Sequence, residues 1–502
     1  MTADRKNSLL EINELLSAVN GTLVSENKTG AFTSVQTDSR NVTADTLFVP
    51  LRGELQNGHK YIPQALEKGA SVVFVDKKEL QENGGVYTAL GEQYPGAVFI
   101  CVENNLHALQ QAAEAYVAKF PELVKISITG SSGKTTTKEM TVSVMRQYFG
   151  KDNVACTEGN FNSETGLPLS VFKIKGTEKI GIFEMGMNRV NEIGEISKVL
   201  KSKYGIITNI GNAHIGLLGS RKNIALEKRK SFDYIPADGA AFVPFEDDFA
   251  EFCTENVKGK IVKYGLETAR EYGVKFIKDE GLAGTVFSVD GEVVKLPLGG
   301  KYNFQNALGV VALAKELGVS AAAIKAGLEN MAAVAGRMEI KELETKNGKK
   351  IQLIADCYNA NPDSMGKVID FCGGLEGAGK KIYVLGDMKE LGTESAAEHR
   401  KVAEKLFAVG AEFVCLVGPE MKCAAELLSE KKVSNLAYFE TSDEESIKNI
   451  SEKLLSVISN DDTVLLKGSH SMALERLIPM LGTVVEPVSE TVSVKEGQNE
   501  RI

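Results

Sequence analysis

Tryptophan is absent from the 502 residues, which by itself carries no functional information. Paired cysteines are also absent, and that excludes more. Cys101, Cys156, Cys253, Cys357, Cys372, Cys415 and Cys423 form no C-x-x-C pair and no zinc-ligand spacing. They read as buried thiols in a reducing cytosol rather than as a disulfide framework or a structural zinc site. No apolar run reaches membrane-spanning length, and the amino end lacks the hydrophobic stretch of a signal peptide. A cytoplasmic protein is expected. There is no excess of basic residues: 58 Lys+Arg against 67 Asp+Glu leave a net charge of −9. That argues against a general nucleic-acid binder, but not against phosphorylated small substrates, which need only local positive charge. No repeat recurs at a fixed period. The chain is too long for one core, and about two to four domains are expected.

The organising stretch is LVKISITGSSGKTTTKEMTVSVMRQYF, residues 123–149. A short apolar strand through Ile126 and Ile128 enters a turn with Gly130 and Gly133, closed by Lys134 and Thr135. A helix follows, with Met140, Val144, Met145 and Tyr148 on one stripe. Glycines let successive backbone N–H groups converge on an anion with no Cβ in the way. The helix start adds partial positive charge. Lys134 would reach the β- and γ-phosphates, and the Thr135 hydroxyl would ligate Mg²⁺. The spacing is a shortened G-x-x-G-K-T, with Ile128 where a full P-loop has its first glycine. Its place between strand and helix suits nucleotide phosphate binding by Gly130, Ser131, Ser132, Gly133, Lys134, Thr135 and Thr136.

Residues 1–122 read as a first α/β unit: a short amphipathic helix over 8–19, strands at 71–75 and 98–102, and a helix over 106–119. Two polar loops, Thr37-Asp38-Ser39-Arg40 and GELQNGH (53–59), are either solvated turns or part of a site. Pro121 marks the boundary. The central unit, 123–336, adds two strand-like runs whose ends are polar. KIGIFEMG ends at Glu184, and KYGIITNIGNAH ends at Thr208, Asn209 and His214. In a parallel α/β sheet ligands collect outside the carboxyl ends of strands, so these ends are expected to share a crevice with the phosphate loop. A carboxylate after a buried strand suits Mg²⁺, which takes hard oxygen ligands. In GGKYNFQN (299–306), Asn303 and Asn306 either cap a helix or contact a base. The third unit, 337–484, alternates strands near 351–355, 382–385, 413–417 and 464–466 with helical patterns, the mark of a doubly wound, Rossmann-like sheet. Residues 485–502 read as a disordered tail.

Together these residues resemble the Mur ligase family over nearly the whole chain. TGSSGKT (129–135) is similar to the family's ATP loop, FEMG with Glu184 to its Mg²⁺ carboxylate, and TNIGNAH to its strand end with His214. The resemblance implies three domains, a central P-loop-type ATPase domain among them, and polar nucleotide ligands at Asn303, Asn306, Arg337 and Asp356. It puts Lys228 where the family carries a carbamylated lysine holding a second Mg²⁺ with His214. The catalytic set would be Lys134, Glu184, His214 and Lys228, with Thr135, Glu184, His214 and Lys228 around the metals. Thr37, Asp38, Ser39, Arg40, Gly58 and His59 would hold the UDP-sugar end of a substrate. Asn160 and Asn162 fall in the family's asparagine loop, here NFNSETGLP, with Ser163 where a second adjacent asparagine is common. Lys230 stands where an acidic residue is usual, which unsettles the electrostatics of the second metal site.

DCYNANPDSM (356–365), VLGDMKELG (384–392) and KGSHSM (467–472) narrow the implied reaction. They point to ATP-driven joining of D-alanyl-D-alanine to the terminal carboxylate of a UDP-N-acetylmuramoyl-tripeptide, by a monomer. Tyr358, Asn359, Asn361, Ser364 and Lys467 would shape the dipeptide pocket. Arg337 and Asp356 come from a different unit than Lys134, so closure of the units is expected. The alternatives are a sister ligase or folyl-polyglutamate synthetase adding one amino acid, and a P-loop NTPase switch that needs no acyl or amine pocket.

Overall fold

Four β-sheets carry the described residues, 8–24, 30–53, 56–377 and 379–485 of a computed structural model. The first sheet comprises β1 (Thr22–Leu23), β2 (Ser34–Gln36), β3 (Thr46–Phe48), β4 (Ala70–Asp76) and β5 (Val98–Val102). Its spatial order is β1-β5-β4-β3-β2, parallel except for β1. The second comprises β6 (Val124–Thr129), β7 (Val154–Cys156), β8 (Ile180–Glu184), β9 (Tyr204–Ile207), β10 (Ala240–Pro244) and β11 (Lys260–Tyr264). All its strands are parallel, in the order β11-β10-β9-β6-β8-β7. An antiparallel meander follows: β12 (Val274–Asp279), β13 (Thr285–Val289) and β14 (Glu292–Leu296).

The fourth sheet holds β15 (Glu339–Thr345), β16 (Lys350–Asp356), β17 (Lys381–Gly386), β18 (Phe413–Val417), β19 (Leu436–Phe439), β20 (Thr463–Lys467) and β21 (Gly482–Val484). Its order is β19-β18-β17-β20-β16-β15-β21, parallel from β19 to β16 and antiparallel at β15. The class is α/β with mainly parallel sheets.

In the second sheet the burial can be followed side chain by side chain. On β8, Ile180 and Ile182 enter one apolar cluster and Phe183 another; on β9, Ile206 and Ile207 divide the same way. Successive side chains of a strand point to opposite faces, so both faces are covered and the strands read as unbroken apolar runs. The helix Lys134–Phe149 covers one face with Met140, Val144 and Met145. Tyr148, expected on that stripe, is instead 45 % exposed. Phe149 packs against the cluster in its place, with Tyr148 edge-on to it at 4.8 Å.

The chain packs as two compact units. One comprises the described residues up to Ala332 with the segment Glu390–Glu394; the other comprises Ala333–Lys389 and the residues from Ser395. The first hundred residues belong to the first unit because one apolar cluster is continuous across two sheets. It runs from Phe32, Phe74 and Ile100 through Leu109 and Tyr116 of the helix Asn105–Val117 to Leu167 and Phe183. The second unit has its own core around Leu353, Val384, Cys415 and Leu466. All seven cysteines are free, with Cys253, Cys357, Cys372 and Cys415 buried and Cys101, Cys156 and Cys423 half-buried. No helix among the described residues is long and apolar enough to cross a membrane. Of the expected tail, residues 486–502 lie outside the described residues, whereas Val485 still donates its N–H to Glu342 O at 2.9 Å.

Candidate active site

The turn after β6 holds two glycines in conformations that reject a side chain. Gly130 has φ +153° and Gly133 has φ +78°. A Cβ on Gly130 would lie 1.8 Å from Thr208 Oγ1, and one on Gly133 would lie 2.8 Å from Asn306 Nδ2. The left-handed backbone of Gly133 would cost a residue with a Cβ roughly 1–2 kcal/mol. Gly133→Ala should therefore lose about that much stability by chemical denaturation and weaken ADP binding by titration calorimetry. Unchanged binding would show that this turn is not read by the nucleotide.

Gly133 caps the helix that starts at Lys134. The first N–H groups of such a helix have no intrahelical partner and are available to an anion. Ser131 and Ser132 behave otherwise: their N–H groups donate to Asn209 O at 3.0 Å and Asn209 Oδ1 at 3.1 Å. These two N–H groups are thus engaged by the strand end after β9.

Two lysines meet on one carbonyl. Lys134 Nζ and Lys228 Nζ each donate to Gly130 O at 2.9 Å. Lys228 sits near the end of the helix Arg221–Arg229, yet it is only 1 % exposed. Burial first, then the neighbouring Lys134 charge, hold its amine well below the ordinary lysine range, against smaller pulls from Glu227 and Cys253. Lys230 turns elsewhere and pairs with Glu227 at 2.7 Å and Asn191 at 3.0 Å. Its charge is thus paired locally.

Glu184 ends β8 and is 1 % exposed. Oε1 accepts from Asn162 Nδ2 at 2.7 Å, while buried Oε2 has no hydrogen-bond partner. A buried carboxylate oxygen left without a donor is costly, and a hard cation would satisfy it. Among the described residues no group of three or more His, Cys, Asp or Glu could hold a metal by itself. Thr135, at the start of the phosphate-loop helix, is buried.

His214 stands in the left-handed region at φ +64°, with Nδ1 2.5 Å from Glu390 Oε2. Burial lowers its pKa, opposed by the hydrogen bond to Glu390 and assisted by Lys228 and Lys134. A neutral imidazole is the form that ligates a metal. Asn303, expected at a helix start, lies inside the helix Lys301–Glu316 and donates back to Gly299 O at 2.8 Å. Asn306 is buried with its amide against Gly133. Of the asparagine loop, Asn162 reaches Glu184 and Asn160 is exposed.

The amino-terminal loops hold themselves together. Arg40 pairs with Asp38 at 2.6 Å, and buried Ser39 donates to Gln64 Oε1 at 2.7 Å. Thr37 and Gly58 are half-buried. His59 is turned inward, with Nδ1 2.7 Å from Asn57 Oδ1 and Nε2 accepting the Asp76 N–H at 3.1 Å. It shapes its loop rather than facing solvent; Glu54 and Leu55 of that loop lie outside the described residues.

In the second unit, Asp356 ends β16 beside Lys467 at the end of β20, with 2.6 Å between Oδ2 and Nζ. Lys467 is 1 % exposed and also donates to Asn359 O at 3.1 Å. Arg337 lies over the Tyr358 ring at 4.2 Å. Asn361 and Ser364 form the capping box of the helix Pro362–Gly373, so much of their hydrogen bonding is spent on the helix start. One residue missed by sequence reasoning supports the first unit's site: Lys138, 1 % exposed, donates to Thr157 O at 2.9 Å while Thr157 Oγ1 accepts the Glu184 N–H at 3.1 Å. A lysine one helical turn after Lys134 was the available signal.

A parallel sheet with a lysine-bearing phosphate loop, an under-coordinated carboxylate on the next strand and a separate doubly wound unit defines an ATP-using α/β enzyme. The chain belongs to the Mur ligase family. The family's middle domain matches residues 128–314, its glutamate ligase domain residues 336–470 and its catalytic domain residues 31–119. The UDP-N-acetylmuramoyl-tripeptide–D-alanyl-D-alanine ligase of Treponema pallidum is 39% identical, covering 94% of this chain and 99% of its own length. A crystal structure of MurF from Acinetobacter baumannii superposes with a TM-score of 0.80 at 28% identity, covering 93% and 97% of the two chains. MurF from Thermotoga maritima in complex with ADP gives a TM-score of 0.73 at 25% identity, covering 89% and 96%.

Proposed function

We propose that this chain joins D-alanyl-D-alanine to the terminal carboxylate of UDP-N-acetylmuramoyl-tripeptide, converting ATP to ADP and phosphate, in peptidoglycan precursor synthesis. One observation carries the reading. The phosphate loop, two lysines on Gly130 and the under-coordinated Glu184 occur together in a chain 39% identical, along nearly its whole length, to a ligase of that name. A carboxylate is a poor acyl donor because oxide would have to leave. Transfer of the γ-phosphoryl group gives an acyl phosphate, from which phosphate leaves readily. The dipeptide amine then attacks the acyl carbon, the C–O bond to phosphate breaks, and the nitrogen gives up a proton.

In phosphoryl transfer the protein mainly positions and neutralises charge. Lys134 and the N–H groups of the first helical turn stabilise charge on the transferred group. Thr135 and Glu184 would hold one Mg²⁺, and His214 with a carbamylated Lys228 would hold a second; bound there, Mg²⁺ would supply neutralisation of phosphate charge. Asn303, Asn306, Arg337 and Asp356 serve the nucleotide. Asn160 and Asn162 serve the phosphoryl end of the acceptor. Tyr358, Asn359, Asn361, Ser364 and Lys467 serve the dipeptide, and Thr37 to Arg40 with Gly58 and His59 serve the UDP-sugar. We assign these roles to three domains, 1–122, 123–336 and 337–484, acting in the cytoplasm, where free thiols persist.

The test is phosphate release from ATP with acceptor and amine varied in turn. Release should require both the UDP-muramoyl-tripeptide and D-alanyl-D-alanine. Comparable rates with free amino acids would make it a sister ligase, and release with no carboxylate acceptor would make it an NTPase switch.

A further inference from the structure

The first half of the phosphate loop is tied to the strand end after β9, chiefly through Asn209. Asn209, just past the end of β9, takes the Ser131 N–H on its carbonyl at 3.0 Å and the Ser132 N–H on Oδ1 at 3.1 Å. Its Nδ2 donates to Ser132 O and to Ser132 Oγ, both at 3.0 Å. Neighbouring groups add to the same stitch. Thr208 Oγ1 donates to Ser132 O at 2.6 Å, and the Gly211 N–H donates to Ser131 Oγ at 2.9 Å. Thr208 is also the group that a Cβ on Gly130 would strike.

A carboxamide is needed for this pattern. It accepts on one atom and donates from the other, so it can read the N–H and the C=O of one peptide residue together. An aspartate accepts at both oxygens and can only satisfy the first. The geometry has a consequence for the loop. A Gly-Ser-Ser-Gly turn left to itself would sample many conformations and would have to be ordered by its ligand, which weakens binding. Held at Ser131 and Ser132, it is ordered beforehand.

We propose that Asn209 is a positioning residue for the nucleotide: its carboxamide fixes Ser132, and with it the turn that delivers Gly133, Lys134 and Thr135 to the phosphates. The inference rests on the reading that residues 130–136 hold those phosphates. The Asn209 carboxamide is engaged by Ser132 without any nucleotide, so its contribution is made before ATP arrives. Its removal should therefore change nucleotide affinity while leaving the other two substrates' KM values where they are.

The experiment compares Asn209→Ala, Asn209→Asp and Lys134→Ala in the full-length chain, with ADP and ATP binding by titration calorimetry and KM for each substrate. Asn209→Ala should weaken ADP binding and raise KM for ATP about tenfold. KM for the UDP-muramoyl-tripeptide and for D-alanyl-D-alanine should not move. Asn209→Asp, which has the same shape and carries the test if the alanine variant does not fold, should lose at least as much. It forfeits donation to Ser132 and adds a negative charge beside the phosphates. Parental ADP affinity in a folded Asn209 variant, with binding lost in Lys134→Ala, overturns the role of Asn209 and leaves the phosphate-loop reading intact. Parental affinity in Lys134→Ala as well overturns that reading. An equal rise in all three KM values shows a general loss of structure and also overturns the proposal.

Discussion

Lys134→Ala should lower ATP-dependent ligation about a thousandfold while leaving the circular dichroism spectrum unchanged. Lys134 is the first residue of its helix and is half-buried, so its truncation leaves no large cavity. Its ammonium rests on Gly130 O at 2.9 Å. That bond is a parking place from which a flexible stem can swing to a phosphate oxygen. Oriented positive charge at a developing anion is worth most where water is scarce. Asn306, Thr208 and Asn209 crowd this turn. Lys134→Arg keeps the charge but replaces a compact ammonium by a planar fork, and should recover only part of the loss. Near-parental turnover in the alanine variant would remove the phosphate loop from the chemistry.

How far the sequence led depends on whether a feature is written locally. The strands β4, β5, β6, β8, β9, β16, β17, β18 and β20 are apolar runs covered on both faces, and their pattern needs no partner to be read. Strands β15, β19 and β21 were not legible. Glu339–Thr345 has only two apolar residues, Ile340 and Leu343, between two antiparallel neighbours, and Leu436–Phe439 is a half-buried edge. Their strand character comes from pairing across the sheet. The site divides in the same way. Gly130, Gly133, Lys134 and Glu184 follow from the rule that strand ends carry ligands. Asn209 falls under the same rule, but its pairing with Ser132 does not, and Lys138 was not legible at all, because each acts on backbone distant along the chain, at Thr157 for Lys138 and at Ser132 for Asn209. His59 entered through the family resemblance alone, and no local pattern showed that its ring nitrogens are engaged by Asn57 and the backbone of Asp76.

Lys228 should prove as necessary as Lys134, for a different reason. Carbamylation begins when an unprotonated amine attacks the carbon of CO₂; the nitrogen then sheds a proton and a carboxylate stands at the end of the chain. A surface lysine is protonated at neutral pH and does not react. Lys228 is buried beside a second lysine, and both facts favour the uncharged amine. Once formed, the carbamate would place an anion beside the Lys134 ammonium, so the same proximity that frees the amine rewards the product. Lys228→Ala should lower ligation by about two to three orders of magnitude, the range seen when one oriented charge-stabilising group is removed. A small carboxylate such as acetate should restore part of it, since truncation leaves a space of suitable size and the added ion supplies the missing charge. In the parent protein, removal of dissolved CO₂ should depress activity and bicarbonate should restore it, with ¹³C label recovered on Lys228 after alkylative trapping. Full activity in CO₂-free buffer, with no label trapped, would mean that the buried amine works unmodified.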